Sequence, residues 1–281
     1  MAVKIVTDST ADLPEKIVSK YGIGVVPLNV HFGEEVYKDG VDIWSEEFYN
    51  KLRNEPVLPN TSQPAPGEFL KVYQKIAQPG DTIISIHISR LMSGTADSAQ
   101  LAAEMMGADY QIKVVDSQHV TMSLGVLVLQ AAKAAQNGES ADAIMAKLAK
   151  WKKEISIFFT IKSLEHLHRT GRIGKASVLM GSLLNIKPIL SIEDGLIVPN
   201  EKIRGNFQKI AELMVEKVIQ RYGNQPLVVG FIHTGLPDEM VILERLAKNR
   251  LKILEMVSNL AGPIVGSHTG PNAIGIVALP A

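Results

Sequence analysis

Residues 82–106 read Thr-Ile-Ile-Ser-Ile-His-Ile-Ser-Arg-Leu-Met-Ser-Gly-Thr-Ala-Asp-Ser-Ala-Gln-Leu-Ala-Ala-Glu-Met-Met. The isoleucine-rich run Thr82–Ile88 is a buried strand by composition, and Gly94–Met106 carries the apolar spacing of a helix. Between them lies Ser93-Gly94-Thr95, a hydroxyl-bearing turn at the point where a strand hands over to a helix. Working outward, the same alternation repeats. Strands are predicted over Val3–Thr7, Val25–Phe32 and Ile112–Asp116. Helices are predicted over Leu13–Tyr21, Ser45–Arg53, Pro66–Ala77, Thr121–Asn137 and Ser140–Lys153. Strand–helix alternation implies a mostly parallel sheet flanked by helices. Such sheets bind ligands at the loops leaving the carboxyl ends of their strands, which is where Ser93-Gly94-Thr95 falls.

The second half reads differently. Strands over Ser156–Ile161, Ile186–Ile192, Leu196–Lys202, Leu227–His233, Lys252–Asn259 and Ala273–Ala278 are interrupted by helices near Leu164–Arg169, Ala176–Leu184 and Gly205–Arg221. Glu193-Asp194-Gly195 joins two strands as a hairpin. Paired strands point to an α+β unit with a largely antiparallel sheet. The fold class is therefore α/β, with residues 1–158 as an α/β domain and 159–281 as an α+β domain.

Composition narrows the function. Lysine plus arginine and aspartate plus glutamate both total 29, so the formal charge is zero. Aromatic residues make up 5% of the chain. Neither value favours nucleic-acid binding. The absence of cysteine removes disulfides, thiolate metal sites and cysteine nucleophiles. No apolar run reaches the roughly 18 residues of a membrane span, and the N-terminus lacks a signal-peptide core. The expectation is a cytoplasmic protein with no stable membrane insertion.

Three hydroxyl-rich segments remain: Asn60-Thr-Ser-Gln-Pro-Ala-Pro-Gly67, Leu91-Met-Ser-Gly-Thr95 and Gly262-Pro-Ile-Val-Gly-Ser-His-Thr-Gly-Pro271. None contains an acid, so they suit an anionic or neutral oxygen group better than a metal. The three glycines of the last segment are read as letting backbone approach a ligand. Ordinary roles compete: Ser93 as a helix cap, Thr61-Ser62 as a turn, His268 as a core histidine. Familiar engines are missing. Gly171-Arg-Ile-Gly-Lys-Ala176 has Arg169 and Ala176 where a phosphate loop requires glycine and a hydroxyl residue. Asp8-Ser-Thr-Ala-Asp12 reads as a turn and cap. His166 and His168 are two apart and do not share a helix face.

The three segments, with Leu164-x-x-Leu167-x-x-x-Gly171-Arg-Ile-Gly174, Leu183-Leu-Asn-Ile-Lys-Pro188 and the opening Val6-Thr-Asp-Ser-Thr-Ala-Asp-Leu-Pro14, resemble the DegV family over nearly the whole chain. The resemblance implies a two-domain protein that binds a long-chain fatty acid between its domains. It also implies a separate ATP-dependent fatty acid kinase subunit that phosphorylates the bound carboxylate. On it, Thr61, Ser62, Ser93 and His268 hold the carboxylate, and Arg172 is a candidate for meeting the kinase subunit; Gly94, Thr95 and Thr269, beside these positions, are further candidates for the carboxylate. The ligand is the fatty acid itself, with no cofactor or metal. The family's aromatic residue after Ser-Gly-Thr is Ala96 here, which would bear on pocket width.

The chemistry is consistent with that implication. About fourteen buried methylenes at roughly 0.8 kcal/mol each give on the order of 11 kcal/mol gross. Leu179–Leu190 is the expected apolar slot. The carboxylate needs donors, because an unpaired buried charge is costly. Hydroxyls, the N–H groups of Gly94 and Thr95, and His268, which would be charged if its pKa rose, can donate. An arginine clamp would blunt the carboxylate as a nucleophile, so a site without a fixed cation is expected. Two other readings stay open: an acyl-ester or acyl-phosphate hydrolase or transferase using Ser93 and His268, and a regulatory lipid sensor.

Overall fold

A computed structural model describes residues 2–55, 57–108, 110–180 and 187–281. The chain opens with β1 (Val3–Asp8), α1 (Glu15–Tyr21), β2 (Gly24–Val26), β3 (Asn29–Phe32), β4 (Glu35–Lys38), α2 (Ser45–Asn54) and β5 (Asn60–Ser62). It continues through α3 (Pro66–Ile76), β6 (Thr82–His87), α4 (Thr95–Met105), β7 (Gln111–Asp116), α5 (Thr121–Gln136) and α6 (Ala141–Glu154). Then come β8 (Ser156–Thr160), α7 (Glu165–Arg169), β9 (Lys187–Glu193), β10 (Leu196–Ile203), α8 (Phe207–Tyr222) and β11 (Leu227–His233). The last elements are α9 (Pro237–Arg250), β12 (Ile253–Leu260), α10 (Pro263–Thr269) and β13 (Ile274–Pro280).

The described strands form three sheets. The first is parallel throughout, in the order β2-β1-β6-β7. Its strand β6 is buried at every position; three isoleucines supply apolar surface, and the buried Ser85 and His87 are hydrogen-bonded to Tyr73 and Asp8. The second runs β10-β9-β8-β13-β11-β12 and is antiparallel except for β11 with β12. The third, β4-β3-β5, is a small antiparallel sheet that the sequence reading did not anticipate. The expected single strand Val25–Phe32 is in fact two strands in two different sheets. Pro27 separates them, because it cannot donate to a ladder. Asp194 and Gly195 both have positive φ (50° and 81°), which makes the β9–β10 connection a type I′ turn.

Helix α5 joins the two large sheets. Its first nine residues, Thr121–Leu129, are all buried, and it packs on β1 and β6 as well as on β11 and β13. Its buried N-terminal half is apolar or small all round apart from the Thr121 and Ser123 hydroxyls, while Gln130 and Lys133 in the second half reach Glu255. Glycine permits the close approach. A Cβ on Gly230 of β11 would lie 2.5 Å from Met122 Cγ. Separate apolar clusters cover the outer faces: one under α8 and α9, one under α3, and one beneath α2 that includes Ile264 of α10.

Two helices escaped the sequence reading. Helix α9 carries proline at its start, acids in its first turn and cations in its last, so its signals were present. Helix α10 was hidden by its glycines. The expected helix Ala176–Leu184 is a short 3-10 segment over Gly174–Leu179 that gives way to extended backbone at Met180. Residues 181–186, which hold most of the Leu183–Pro188 motif, lie outside the described residues.

Candidate functional site

Four segments converge where the first sheet, the small sheet and the second sheet meet. Asp8, at the end of β1, fixes the start of the β6–α4 turn. One of its carboxylate oxygens accepts from Ile88 N and from His87 Nδ1, both at 3.0 Å. The turn delivers Met92, Ser93 and Gly94 to the start of α4, whose first N–H groups have no intrahelical acceptor. β5 delivers Thr61 and Ser62, with Gln63 just beyond; α10 delivers His268 and Thr269; and the loop after α7 delivers Arg172.

These residues line one cavity of about 310 Å³. Of the eight positions expected, Thr61, Ser62, Ser93, Gly94, Arg172, His268 and Thr269 line it. Thr95 does not; it is buried in the first turn of α4, and its hydroxyl pairs with Ser93 Oγ at 2.8 Å. Gly94, not Ser93, is the helix cap residue. Thr61 Oγ1 lies 2.8 Å from His268 Nε2, and Ser62 Oγ lies 2.9 Å from His31 Nε2. Gln63, not singled out from sequence, lines the cavity and donates to Ser98 Oγ at 3.0 Å.

Electrostatics correct two expectations. Burial, helped by the charges of Arg172 and Arg169, pushes His268 down to about 4. His268 is thus a neutral imidazole near neutral pH, not a charged donor. Its Nδ1 is buried without a hydrogen-bond partner. The site also has a cation at its edge. Arg172 lines the cavity while its guanidinium donates to Met92 O at 3.2 Å and to Thr170 O at 2.5 Å. Those bonds tie Nε and Nη1 to the backbone and fix the guanidinium at the cavity edge.

A serine–histidine engine requires the histidine to bond the serine and a third group to orient the histidine. Among the described residues, Ser93 pairs with Thr95, His268 pairs with Thr61, and His268 Nδ1 has no orienting partner.

The glycines of residues 262–271 serve packing against other protein elements. A Cβ on Gly266 would lie 2.6 Å from Phe48 Cε1, and one on Gly270 would lie 2.6 Å from His166 Cδ2. Gly262 is flanked by two buried carboxylates at the start of α10. Asp12 accepts from Gly262 N at 2.8 Å and from Thr121 Oγ1 at 2.6 Å, and Asp39 lies against Gly262 with its Oδ2 buried and without a hydrogen-bond partner. Burial is the main cause that raises Asp12 to about 7 and Asp39 well above the carboxylate range, and the proximity of acids adds to it. Asp12 and Asp39 are 27 positions apart, which is why the sequence did not reveal the pair. Among the described residues, no group of three or more histidines or acids could hold a metal ion.

The apolar part of the cavity is not where it was expected. None of the described residues of 179–190 lines it; Leu179 and Leu190 belong to the core. Its walls are Leu28, Ile88, Met92, Val120, Leu167, Ile197, Ile264 and Val265. A second cavity of about 60 Å³ adjoins it, lined among others by Ile157, Phe159, Ile192, Ile232 and Gly275. Ala96 is fully buried but lines neither cavity, so it does not set their width. Among the described residues, no helix is long and apolar enough to cross a membrane.

The family described as an uncharacterised protein of the DegV family matches residues 2–281. A DegV domain-containing protein from Caldanaerobacter subterraneus subsp. tengcongensis is 37% identical over 274 residues, covering 98% of this chain and 97% of that one. Among solved structures, a DegV family protein from Thermus thermophilus, described by its fatty acid binding, has a TM-score of 0.93 at 34% identity, over the full length of both chains. DegV from Bacillus subtilis, described as a fatty acid binding protein, has a TM-score of 0.90 at 33% identity, again over both whole chains. With the family matched from the second residue to the last, this chain belongs to the DegV family.

Proposed function

We propose that the protein is a fatty acid carrier. The observation that carries this reading is the cavity's polarity: hydroxyls and a helix N-terminus at one end, aliphatic walls at the other. A carboxylate at the Ser93–Gly94 end meets the hydroxyls of Thr61, Ser62 and Ser93 and the first N–H groups of α4. Each such charge-assisted bond contributes about 1.5–3 kcal/mol. His268, neutral, donates through one ring nitrogen, and Thr269 closes the same wall. The chain runs away from this end between the two domains, whose boundary lies just before β8 (Ser156–Thr160) and not at the expected 158/159, which would cut that strand of the second sheet. The fatty acid relatives of known structure support the same ligand class.

The finer role is delivery. In the cytoplasm, a separate ATP-dependent kinase subunit phosphorylates the bound carboxylate to an acyl phosphate, and Arg172, exposed at the cavity edge, meets that subunit. The carrier itself does no catalysis, which fits the missing Ser93–His268 link. Mass spectrometry of the organic extract from natively purified protein, against a denatured and washed control, tests the ligand. A stoichiometric long-chain acid is expected. An empty protein that also refuses added palmitate and oleate would sink the reading. Adding ATP and a fatty acid kinase subunit to the loaded protein should then yield acyl phosphate, and less of it with Arg172→Glu.

A further inference from the structure

The two cavities meet at a wall built by four residues that line both: Val120, Ile197, Val265 and Thr269. All four are β-branched. Such side chains have restricted χ1 and do not swing aside as leucine or methionine would. They come from three places: the segment before α5, the hairpin strand β10, and α10. The four side chains therefore form a stiff partition, the neck, between a larger head cavity and a smaller tail lobe.

The tail lobe exists because one strand is short of side chains. Alternation along β13 sends Ile274 and Ile276 to the outer core and leaves Ala273, Gly275 and Val277 on the inner face. Gly275 sits opposite Phe159 on β8 and Ile232 on β11, both of which line the lobe. A Cβ on Gly275 would lie 2.9 Å from Phe159 Cβ, far closer than the roughly 4.5–5.5 Å of facing strand positions. Phe159 therefore leans over the gap, and any side chain at 275 must either push it back or fill the space.

We propose that this lobe fixes the length of the acyl chain the protein carries, with Gly275 keeping it open and the Val120–Ile197–Val265–Thr269 neck admitting only a chain long enough to pass. The proposal rests on the fatty acid reading and names which acids the site prefers. A chain ending in the head cavity leaves the lobe empty. Each methylene beyond the neck gains burial, and each beyond the lobe's end gains none. Affinity then rises about fourfold per added methylene, the ratio equivalent to roughly 0.8 kcal/mol, and stops rising at a defined carbon number.

The test measures dissociation constants for the saturated acids from decanoate to stearate, two carbons at a time, with the full chain. Wild type should show a plateau at one length. Gly275→Val should reach its plateau at least two carbons earlier. Ile192→Ala, which removes bulk from the part of the lobe's lining that β9 supplies, should reach it later, and it decides the matter alone if Gly275→Val does not fold. The same plateau in wild type and in every folded variant would overturn the proposal while leaving fatty acid binding intact. Failure of wild type to bind any acid of the series would instead remove the carrier reading and this inference with it.

Discussion

The two ends of the cavity are built on opposite principles. At the head, five groups from three distant segments (Thr61, Ser62, Ser93, Gly94 and His268) each present a polar atom, and each is held by a named partner or by helix geometry. At the tail, fifteen lining residues, most of them aliphatic, with Phe159, His233 and three threonines among them, present only apolar atoms to the cavity. The head selects by chemistry, because an unmatched polar atom there is expensive. The tail selects by volume, because each methylene adds a small, equal increment. A fatty acid is the ligand class that satisfies both at once.

The comparison breaks most sharply if the tail can be made polar without loss. Ile197→Asp places an unpaired carboxylate in the neck, and it should cost about 3–5 kcal/mol in stability or ligand binding. Urea unfolding with and without palmitate would read it, and a folded variant that still binds palmitate would erase the distinction.

The next effect lies in the support beneath the head. Asp12, raised to about 7, keeps its proton in the fold over a range where the unfolded chain has lost it. Stability contributed by this group therefore falls as pH rises from about 4 to about 7, by up to about 1.4 kcal/mol per unit. His268, lowered to about 4, has the opposite sign. Its unfolded form binds a proton that the fold refuses, so stability falls as pH drops from about 6.5 to about 4. The two slopes oppose each other between about 4 and 6.5. Asp12→Asn should expose a steeper rise of stability with pH in that window, and urea titrations from pH 4 to 8 that overlay wild type would refute the assignment.

At the head itself, Ser93→Ala and His268→Ala should each weaken palmitate binding about tenfold, the equivalent of about 1.4 kcal/mol. Fluorescent fatty acid displacement would measure both, and unchanged constants would show that neither touches the carboxylate. The smallest change belongs to the tail: Ile197→Val removes one methylene and should weaken long-chain binding only a few fold, about 0.8 kcal/mol. A larger loss than at the head would reverse the ranking of the two ends.

How much the sequence revealed divides along the same line. Ser93-Gly94 was legible because strand, turn and helix are local; that Thr95 turns inward to pair with Ser93 was not. Thr61, Ser62, Arg172 and His268 were legible as motifs, although nothing local shows that they meet. The tail was not legible. Ile197, Val265 and Gly275 have the composition of any buried strand or helix, and only the register of β13 against β8 and β11 makes a gap of them. Asp12 and Asp39 escaped for another reason. Each looks like a turn residue, and their shared role at Gly262 depends on contacts spanning some 220 to 250 residues. The third sheet escaped because β4 and β5 are too short, four and three residues, to carry a periodic signal.

The most direct test of the two-ended cavity is calorimetric titration of the delipidated protein with palmitate and with 1-hexadecanol, which share a chain and differ in the head. The account predicts that both bind and that palmitate binds at least tenfold more tightly. Equal affinities, or tighter binding of the alcohol, would contradict it.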